Sequence, residues 1–156
     1  MTTKEITFNG DDKWQYPIGP NFIKNKSEIN KCIKAFKGIS EFENKSINIF
    51  CMGSSGNIIA CMFAIKLKNA IIIPVRKSKE FCHSGNFEMH KYFIPNSINI
   101  IVDDFIDTGE KINNIFSEIQ LQLGKKIKID CVAILGYDKL KLLNVIPKYF
   151  ISRKTF

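Results

Sequence analysis

The sequence predicts an α/β protein of three layers, in which helices cover both faces of a doubly wound, mostly parallel sheet. Three observations support this prediction. Short apolar runs alternate with helical patterns, the runs are apolar at consecutive rather than alternate positions, and no internal repeat or Gly/Ser linker divides the 156 residues. Strands of this kind need both faces of their sheet covered, as in parallel sheets. We therefore expect one domain with a core at about residues 45–135 and a small hood from residues 1–26 and 136–156.

The first predicted element is a helix at residues 27–37, with Ser27 as its candidate N-cap and an apolar face that includes Ile29 and Phe36. Buried strands are then predicted at residues 47–52, 70–75, 98–102 and 129–135. Helices are predicted at residues 57–68 and from about 108 to 123, where Gly124 ends the pattern. The tail at residues 145–151 is a candidate edge strand.

Composition is that of an ordinary globular protein, with 45% hydrophobic and 24% charged residues. The 5 cysteines are odd in number and show no Cys-x-x-Cys spacing, so they suit buried thiols better than disulfides or zinc. A reducing cytoplasm is the expected compartment. The N-terminal residues lack the apolar segment of a signal peptide, and no apolar run reaches the roughly 18 residues that span a bilayer, so no membrane partner is expected.

The chain is basic, with a net charge of +8 and a pI near 9.3. Its lysines are scattered rather than gathered in one block, which favours a solvated surface over a nucleic-acid footprint. The same charge raises the local concentration of a small polyanion.

Residues 98–112 carry the strongest signal. An apolar run ends at Asp103 and Asp104, and Thr108 and Gly109 open the following helical pattern. Two carboxylates can accept vicinal hydroxyls and support a divalent cation, while the free N–H groups of a helix start favour a phosphate. The alternative is a helix cap beside a wet loop, but four fixed residues at this spacing would arise by chance in about one of several hundred such chains.

This segment resembles the phosphoribosyl diphosphate (PRPP) motif of the type I phosphoribosyltransferases, which is an apolar strand, two acids, three variable residues and Thr-Gly. The resemblance implies that Asp103 and Asp104 hold the ribose hydroxyls together with Mg²⁺. Asp107 stands where the 6-oxopurine branch has its general base. The 5-phosphate would be bound by the turn, which comprises Thr108, Gly109, Glu110, Lys111 and Ile112. One departure is Lys111, because the family usually has a small hydroxyl residue there.

Two further segments fit the same resemblance. The family's pyrophosphate loop follows the first core strand, and the corresponding residues here are Gly53, Ser54, Ser55 and Gly56. Arg76 and Lys77 follow the next strand, where the family has a basic residue that contacts diphosphate. The polar stretch after them, which includes Lys79 and His83, corresponds to the family's mobile lid. For each residue of this stretch, a plain solvated loop is the competing interpretation.

The resemblance implies a Mg²⁺-dependent pentosyltransferase of nucleotide salvage that transfers the ribose 5-phosphate of PRPP to a nucleobase nitrogen. The acceptor remains orotate or a purine: Asp107 favours a 6-oxopurine, whereas the strand end at residues 133–136 lacks the lysine that reads such a base. A homodimer is an open alternative to a monomer. The competing function is a non-catalytic sensor of PRPP or a nucleotide, with the same fold and with a basic surface for nucleic acid.

Overall fold

The computed structural model describes residues 2–10, 21–76 and 88–154, and for residues 21–25 it describes the backbone alone. The strands are β1 (Lys4–Phe8), β2 (Ile47–Cys51), β3 (Ala70–Pro74), β4 (Ile98–Asp103), β5 (Cys131–Tyr137) and β6 (Tyr149–Arg153). The α-helices are α1 (Asn21–Lys37), α2 (Gly53–Lys66) and α3 (Glu110–Leu123), and single 3₁₀ turns lie at Ser40–Phe42, Met89–Lys91 and Leu140–Leu142.

The described strands form one open sheet in the order β1-β6-β5-β4-β2-β3, and all neighbouring pairs are parallel. This confirms the predicted α/β architecture and its parallel sheet. The order places β4 between β5 and β2, so the ends of these strands lie side by side. Parallel neighbours are about 4.8 Å apart, which keeps the residues after each strand within reach of one another.

Helices cover both faces of the sheet, as the continuous apolar strands predicted. In β4, Ile100 packs with α1 and α2, whereas its neighbour Ile101 packs with α3 on the opposite face. Ile49 and Phe50 of β2 divide between the two cores in the same way, because successive side chains of a strand point to opposite faces. Each strand is therefore anchored on both sides.

The terminal segments differ from the expected hood. Lys4–Phe8 and Tyr149–Arg153 are strands that pair with each other, and β6 also pairs with β5, so both belong to the sheet. The tail strand is interior rather than at the edge, since β1 covers it. Phe150 and Ile151 are fully buried there, and burial of such side chains stabilises a central strand. Residues 11–20, which carry Trp14 and Tyr16, lie outside the described residues.

The predicted helix boundaries need two corrections. Helix α1 begins at Asn21, so Ser27 lies within it and is not its N-cap. Helix α2 begins at Gly53, because a single residue, Met52, separates it from β2. Gly124 does end α3: its φ is 103°, and its N–H donates to the Gln120 carbonyl at 3.1 Å.

The cysteines that the structure describes are free thiols, and Cys32, Cys51 and Cys131 are buried. Burial raises the pKa of Cys51 to about 12, so this thiol is neutral at the pH of a cell. No helix in the described ranges has the length and apolar character needed to cross a bilayer.

Candidate functional site

The three sequence signals meet at the carboxyl edge of the sheet. Asp103 is the last residue of β4, Gly53 follows the neighbouring strand β2, and Arg76 follows β3 beyond that. Arg76 is exposed. Ligands of open α/β sheets bind in the crevice outside the carboxyl ends of the strands, which makes this edge the candidate site. Lys77, Lys79 and His83 lie outside the described residues.

The acid pair is buried rather than solvated. Asp103 is 1% exposed and Asp104 is 0% exposed. The Asp104 N–H donates to Asp103 Oδ1 at 2.9 Å, and its carbonyl accepts from the N–H groups of Leu135 and Gly136 at 2.9 and 2.8 Å. These bonds join the end of β4 to β5, so the backbone of the pair is fixed by the sheet.

Lys111 is the cation that faces this pair. Its Nζ lies 2.9 Å from Asp103 Oδ1 and 3.6 Å from Asp104 Oδ1. Burial raises the pKa of Asp103 to about 7, assisted by the adjacent Asp104 carboxyl group, while Lys111 acts in the opposite direction. Burial disfavours the charge on Lys111, but the two carboxylates outweigh it and raise the pKa of the ammonium. The ion pair was not visible in the sequence, where Lys111 was assigned to the phosphate turn.

The pair retains unused hydrogen-bonding capacity. Asp103 Oδ2 and both carboxylate oxygens of Asp104 are buried and accept no hydrogen bond. Buried polar atoms are nearly always hydrogen-bonded, because an unpaired one costs about 1–3 kcal/mol. Three such atoms on adjacent residues indicate acceptors held for a ligand that donates.

The turn between β4 and α3 encloses a cavity of about 120 Å³, lined by Asp103 and residues 105–112. Thr108 is exposed, and its Oγ1 accepts from the Glu110 N–H at 3.3 Å. The cavity lies at the start of a 14-residue helix, whose free N–H groups and positive dipole end favour an anion. The Asp103 carboxyl group and a phosphate-compatible helix start therefore line one space.

Gly109 is required by the shape of this turn. Its φ is 82°, and a Cβ built there would lie 2.5 Å from the Leu142 carbonyl oxygen. Asn113 fixes the same segment, since its Nδ2 donates to that carbonyl at 3.1 Å and its Oδ1 accepts from the Asn144 N–H at 2.7 Å. The segment after β5 is thus packed against the turn, a contact that the sequence did not indicate.

The segment Gly53–Gly56 is the first turn of α2 and not the loop that its composition suggested. The positive φ of Gly53, 74°, lets the chain turn within one residue of the strand. A Cβ built at Gly56 would lie 3.5 Å from Asp103 Oδ1. The start of α2 therefore packs directly against the acid pair, and the structure brings the two motifs together.

Asp107 lines the same cavity as Asp103, but its side chain is 79% exposed and not buried. Lys139, which sequence analysis did not select, places its Nζ 3.4 Å from the Asp107 carbonyl and 4.0 Å from its Oδ1. The lysine that was missing at residues 133–136 has no room at Gly136, because a Cβ there would lie 2.8 Å from the Phe105 Cβ. Instead, Lys139 in the loop after β5 supplies a lysine at the carboxyl edge of the sheet.

The expected Mg²⁺ site at Asp103 and Asp104 does not fit this arrangement. The Lys111 ammonium lies against the oxygens that would be the metal ligands. Within the described ranges, no group of three or more His, Cys, Asp or Glu side chains is placed to hold a metal ion.

The strand order, the parallel sheet and the helices on both faces define the α/β fold of the type I phosphoribosyltransferases. The structure is similar to adenine phosphoribosyltransferase from Saccharomyces cerevisiae, solved with D-2,5-dideoxy-2,5-imino-altritol 1,6-bisphosphate and adenine. The TM-score is 0.57 and the identity 24%, over 83% of this chain and 80% of that one.

Two bacterial adenine phosphoribosyltransferases show the same likeness. The enzyme from Rhodothermus marinus has a TM-score of 0.55 and 17% identity, over 87% of this chain and 81% of its own. The enzyme from Thermoanaerobacter pseudethanolicus has a TM-score of 0.54 and 17% identity, over 82% and 83%. No protein-family model and no curated protein matches the sequence. At these identities the comparisons establish the fold, and function must be argued from the site.

Proposed function

We propose that this protein is a phosphoribosyltransferase that transfers the ribose 5-phosphate of PRPP to a nucleobase nitrogen and releases pyrophosphate. The observation that carries the proposal is the buried acid pair with its three unpaired oxygens; Asp103 of this pair lines the cavity at a phosphate-compatible helix start. A ligand that fits both features has vicinal hydroxyls and a phosphate on one small scaffold, which describes a ribose 5-phosphate.

Each part of the donor has a candidate partner. Asp103 and Asp104 accept hydrogen bonds from the ribose hydroxyls, and the N–H groups of residues 108–112 bind the 5-phosphate. Gly53–Gly56 at the start of α2 and the exposed Arg76 receive the diphosphate. Lys77, Lys79 and His83 are assigned to a lid that excludes water from the reacting centre.

In the reaction, the bond between the anomeric carbon and the diphosphate oxygen breaks, and the oxygen leaves with the electron pair. The ring then carries oxocarbenium-like charge until the acceptor nitrogen donates its lone pair to the same carbon. Positive groups at the α2 start and Arg76 stabilise the leaving diphosphate. The exposed Asp107 takes the proton that the acceptor nitrogen loses.

In this proposal Mg²⁺ binds together with PRPP, because diphosphate oxygens are hard ligands of the kind that this cation prefers. The acid pair, with Lys111 against it, is not its binding site in the free protein.

The acceptor is a purine or orotate. The solved relatives named above are adenine enzymes, which supports a purine. Lys139 beside Asp107 argues for a base with an oxygen substituent, because an ammonium can donate a hydrogen bond and cannot accept one from an amino group. A panel of adenine, hypoxanthine, guanine, xanthine, uracil and orotate separates these choices.

The test is release of pyrophosphate from PRPP and Mg²⁺ with each base of this panel. We expect turnover with one class of base, and its loss in Asp103→Asn/Asp104→Asn. The matched control is Glu43→Gln/Glu118→Gln, which removes two negative charges outside the cavity and should retain turnover. Full turnover in the Asp103→Asn/Asp104→Asn protein would overturn the proposal.

The second candidate is a non-catalytic sensor of PRPP or a nucleotide that also binds nucleic acid. Four exposed lysines favour it, since they line a cleft of about 530 Å³ near the starts of β2 and β3, at the edge opposite the acid pair; they are Lys37, Lys45, Lys66 and Lys68. Two results together would support the sensor instead of the enzyme. No base of the panel would give pyrophosphate release, and the protein would bind single-stranded RNA in a salt-dependent way that Lys66→Ala/Lys68→Ala weakens.

A further inference from the structure

The acid pair already has a cation that belongs to the chain. Lys111 Nζ is 2.9 Å from Asp103 Oδ1 and 3.6 Å from Asp104 Oδ1, so the ammonium bridges the two carboxylates. Because the exposure of these two acids is 1% and 0%, little bulk water is available to screen them from that charge. Any divalent cation at the pair would have to displace the ammonium or share its ligands.

The backbone places Lys111 where it makes this contact. Gly109, with its φ of 82°, turns the chain so that the first turn of α3 comes back beside the end of β4. The Lys111 side chain is 39% exposed, so its stem passes along the cavity while its ammonium meets the carboxylates. The position is set by a fixed turn and not by chance contact of a surface lysine.

Unused acceptors remain beside the ammonium. Asp103 Oδ2 and both Asp104 oxygens are buried without a hydrogen bond, so the pair can accept ribose hydroxyls while Lys111 offsets part of its charge. Lysine supplies positive charge and hydrogen-bond donors but no acceptor. The cluster therefore carries one positive charge of its own at the place where a divalent cation would supply two.

We infer that Lys111 replaces the divalent cation at the Asp103–Asp104 pair and excludes Mg²⁺ from it. The inference takes its choice of ligand, the ribose hydroxyls, from the proposed function, but its test needs no turnover. Removing the ammonium while leaving small oxygen ligands should convert the cluster into a cation site, and Lys111→Ser does this with the residue type that the resemblance expects at that position.

The experiment titrates Mn²⁺ into the full chain at pH 8 and follows binding by electron paramagnetic resonance. Wild type should show no site that depends on the acid pair. Lys111→Ser should gain one, with affinity at least about tenfold above wild type, and Lys111→Ser/Asp103→Asn/Asp104→Asn should lose that gain. Lys139→Ser is the matched control: it removes one positive charge at the same edge, 4.0 Å from Asp107, and should gain no site.

Folding of each variant is checked by near-UV circular dichroism and thermal unfolding. If Lys111→Ser does not fold, amide NMR spectra of the wild-type protein provide the test. Mn²⁺ should broaden the Gly109 and Ile112 signals of wild type no more than those of Asp103→Asn/Asp104→Asn. A pair-dependent Mn²⁺ site in wild type overturns the inference, and so does a folded Lys111→Ser without a gain. If Lys111→Ser gains the Mn²⁺ site while the wild-type protein releases no pyrophosphate with any base, this inference stands and the proposed function is wrong.

Discussion

Both ends of strand β4 carry buried polar residues, but the two ends differ in how far the side chains are hydrogen-bonded. Near its start, Asn99 pairs with Asn48 of β2: Asn48 Nδ2 donates to Asn99 Oδ1 at 3.0 Å and to the Ile94 carbonyl at 2.8 Å, and Asn99 Nδ2 donates to the Lys128 carbonyl at 3.1 Å. At its other end, three carboxylate oxygens of Asp103 and Asp104 accept nothing.

We interpret this difference as one between a polar pair that holds the fold and a pair that, under the proposed function, binds a ligand. A satisfied buried network stabilises a unique arrangement of strands, whereas unpaired buried acceptors cost stability and persist at functional sites. Variants at the start of β4 should therefore change the free energy of unfolding, and variants at its end should change binding and turnover.

The largest effect is expected from Asp103→Asn/Asp104→Asn. Pyrophosphate release should fall on the order of a thousandfold, because the ribose would lose its charged acceptors. The melting temperature should stay equal or rise, since two buried carboxylates are removed and the half-exposed Lys111 can turn to solvent. A large drop in melting temperature would show that the acid pair holds the fold, and the two ends of β4 would then not differ in role.

Asn48→Ala should show the reverse pattern. It leaves the Ile94 N–H and carbonyl and Asn99 Oδ1 without Asn48 as a partner, and we expect a loss of about 3 kcal/mol in the free energy of unfolding in urea. Turnover per folded molecule should be unchanged. Asn114→Ala on α3 is the control and should stay within about 0.5 kcal/mol.

Gly109→Ala tests the turn that joins the acid pair to the proposed phosphate site. The left-handed φ of 82° alone costs about 1–2 kcal/mol for a non-glycine residue, and the Cβ would displace the Leu142 carbonyl. PRPP affinity should fall about tenfold, as judged by calorimetry. Gly124→Ala is a matched control, because its φ is 103° but no atom lies within 4 Å of the added Cβ; it should lose stability and retain PRPP affinity.

The last effect is a pH dependence of stability. Burial raises the pKa of Asp103 to about 7 in the folded protein, well above the usual range of an aspartate. A raised carboxyl pKa stabilises the fold fully below about pH 4, and this contribution is lost as the pH rises to about 7. Melting temperature measured across this range should fall more steeply in wild type than in Asp103→Asn, and parallel curves would contradict the assignment.

Much of the sheet was predictable because its strands carry their own signal. The runs at β2, β3, β4 and β5 are mostly apolar at consecutive positions and are bounded by polar residues or glycine, and the structure places strands within two residues of each prediction. Strand β1 was missed because Lys4–Phe8 alternates polar and apolar residues over a short run and is stabilised by pairing with β6. Such pairing is tertiary and leaves no local pattern.

The candidate site was predictable as a set of segments and not as a set of contacts. Spacing placed Asp103, Asp104 and Gly109 in one turn, and strand order brought Gly53–Gly56 beside them. The Lys111 ion pair depends on the direction of a side chain eight positions away from Asp103 in the chain, and the Lys139 contact depends on the loop after β5. Both are set by packing, which sequence periodicity does not report.

Direct binding of PRPP tests the central claim that the carboxyl end of β4 is a ribose 5-phosphate site. Isothermal titration calorimetry would compare wild type, Asn48→Ala and Asp103→Asn/Asp104→Asn. Wild type and folded Asn48→Ala should bind PRPP with the same affinity, and the Asp103→Asn/Asp104→Asn protein should bind it at least about a hundredfold more weakly. Equal binding by all three proteins, or no binding by wild type, would contradict the claim.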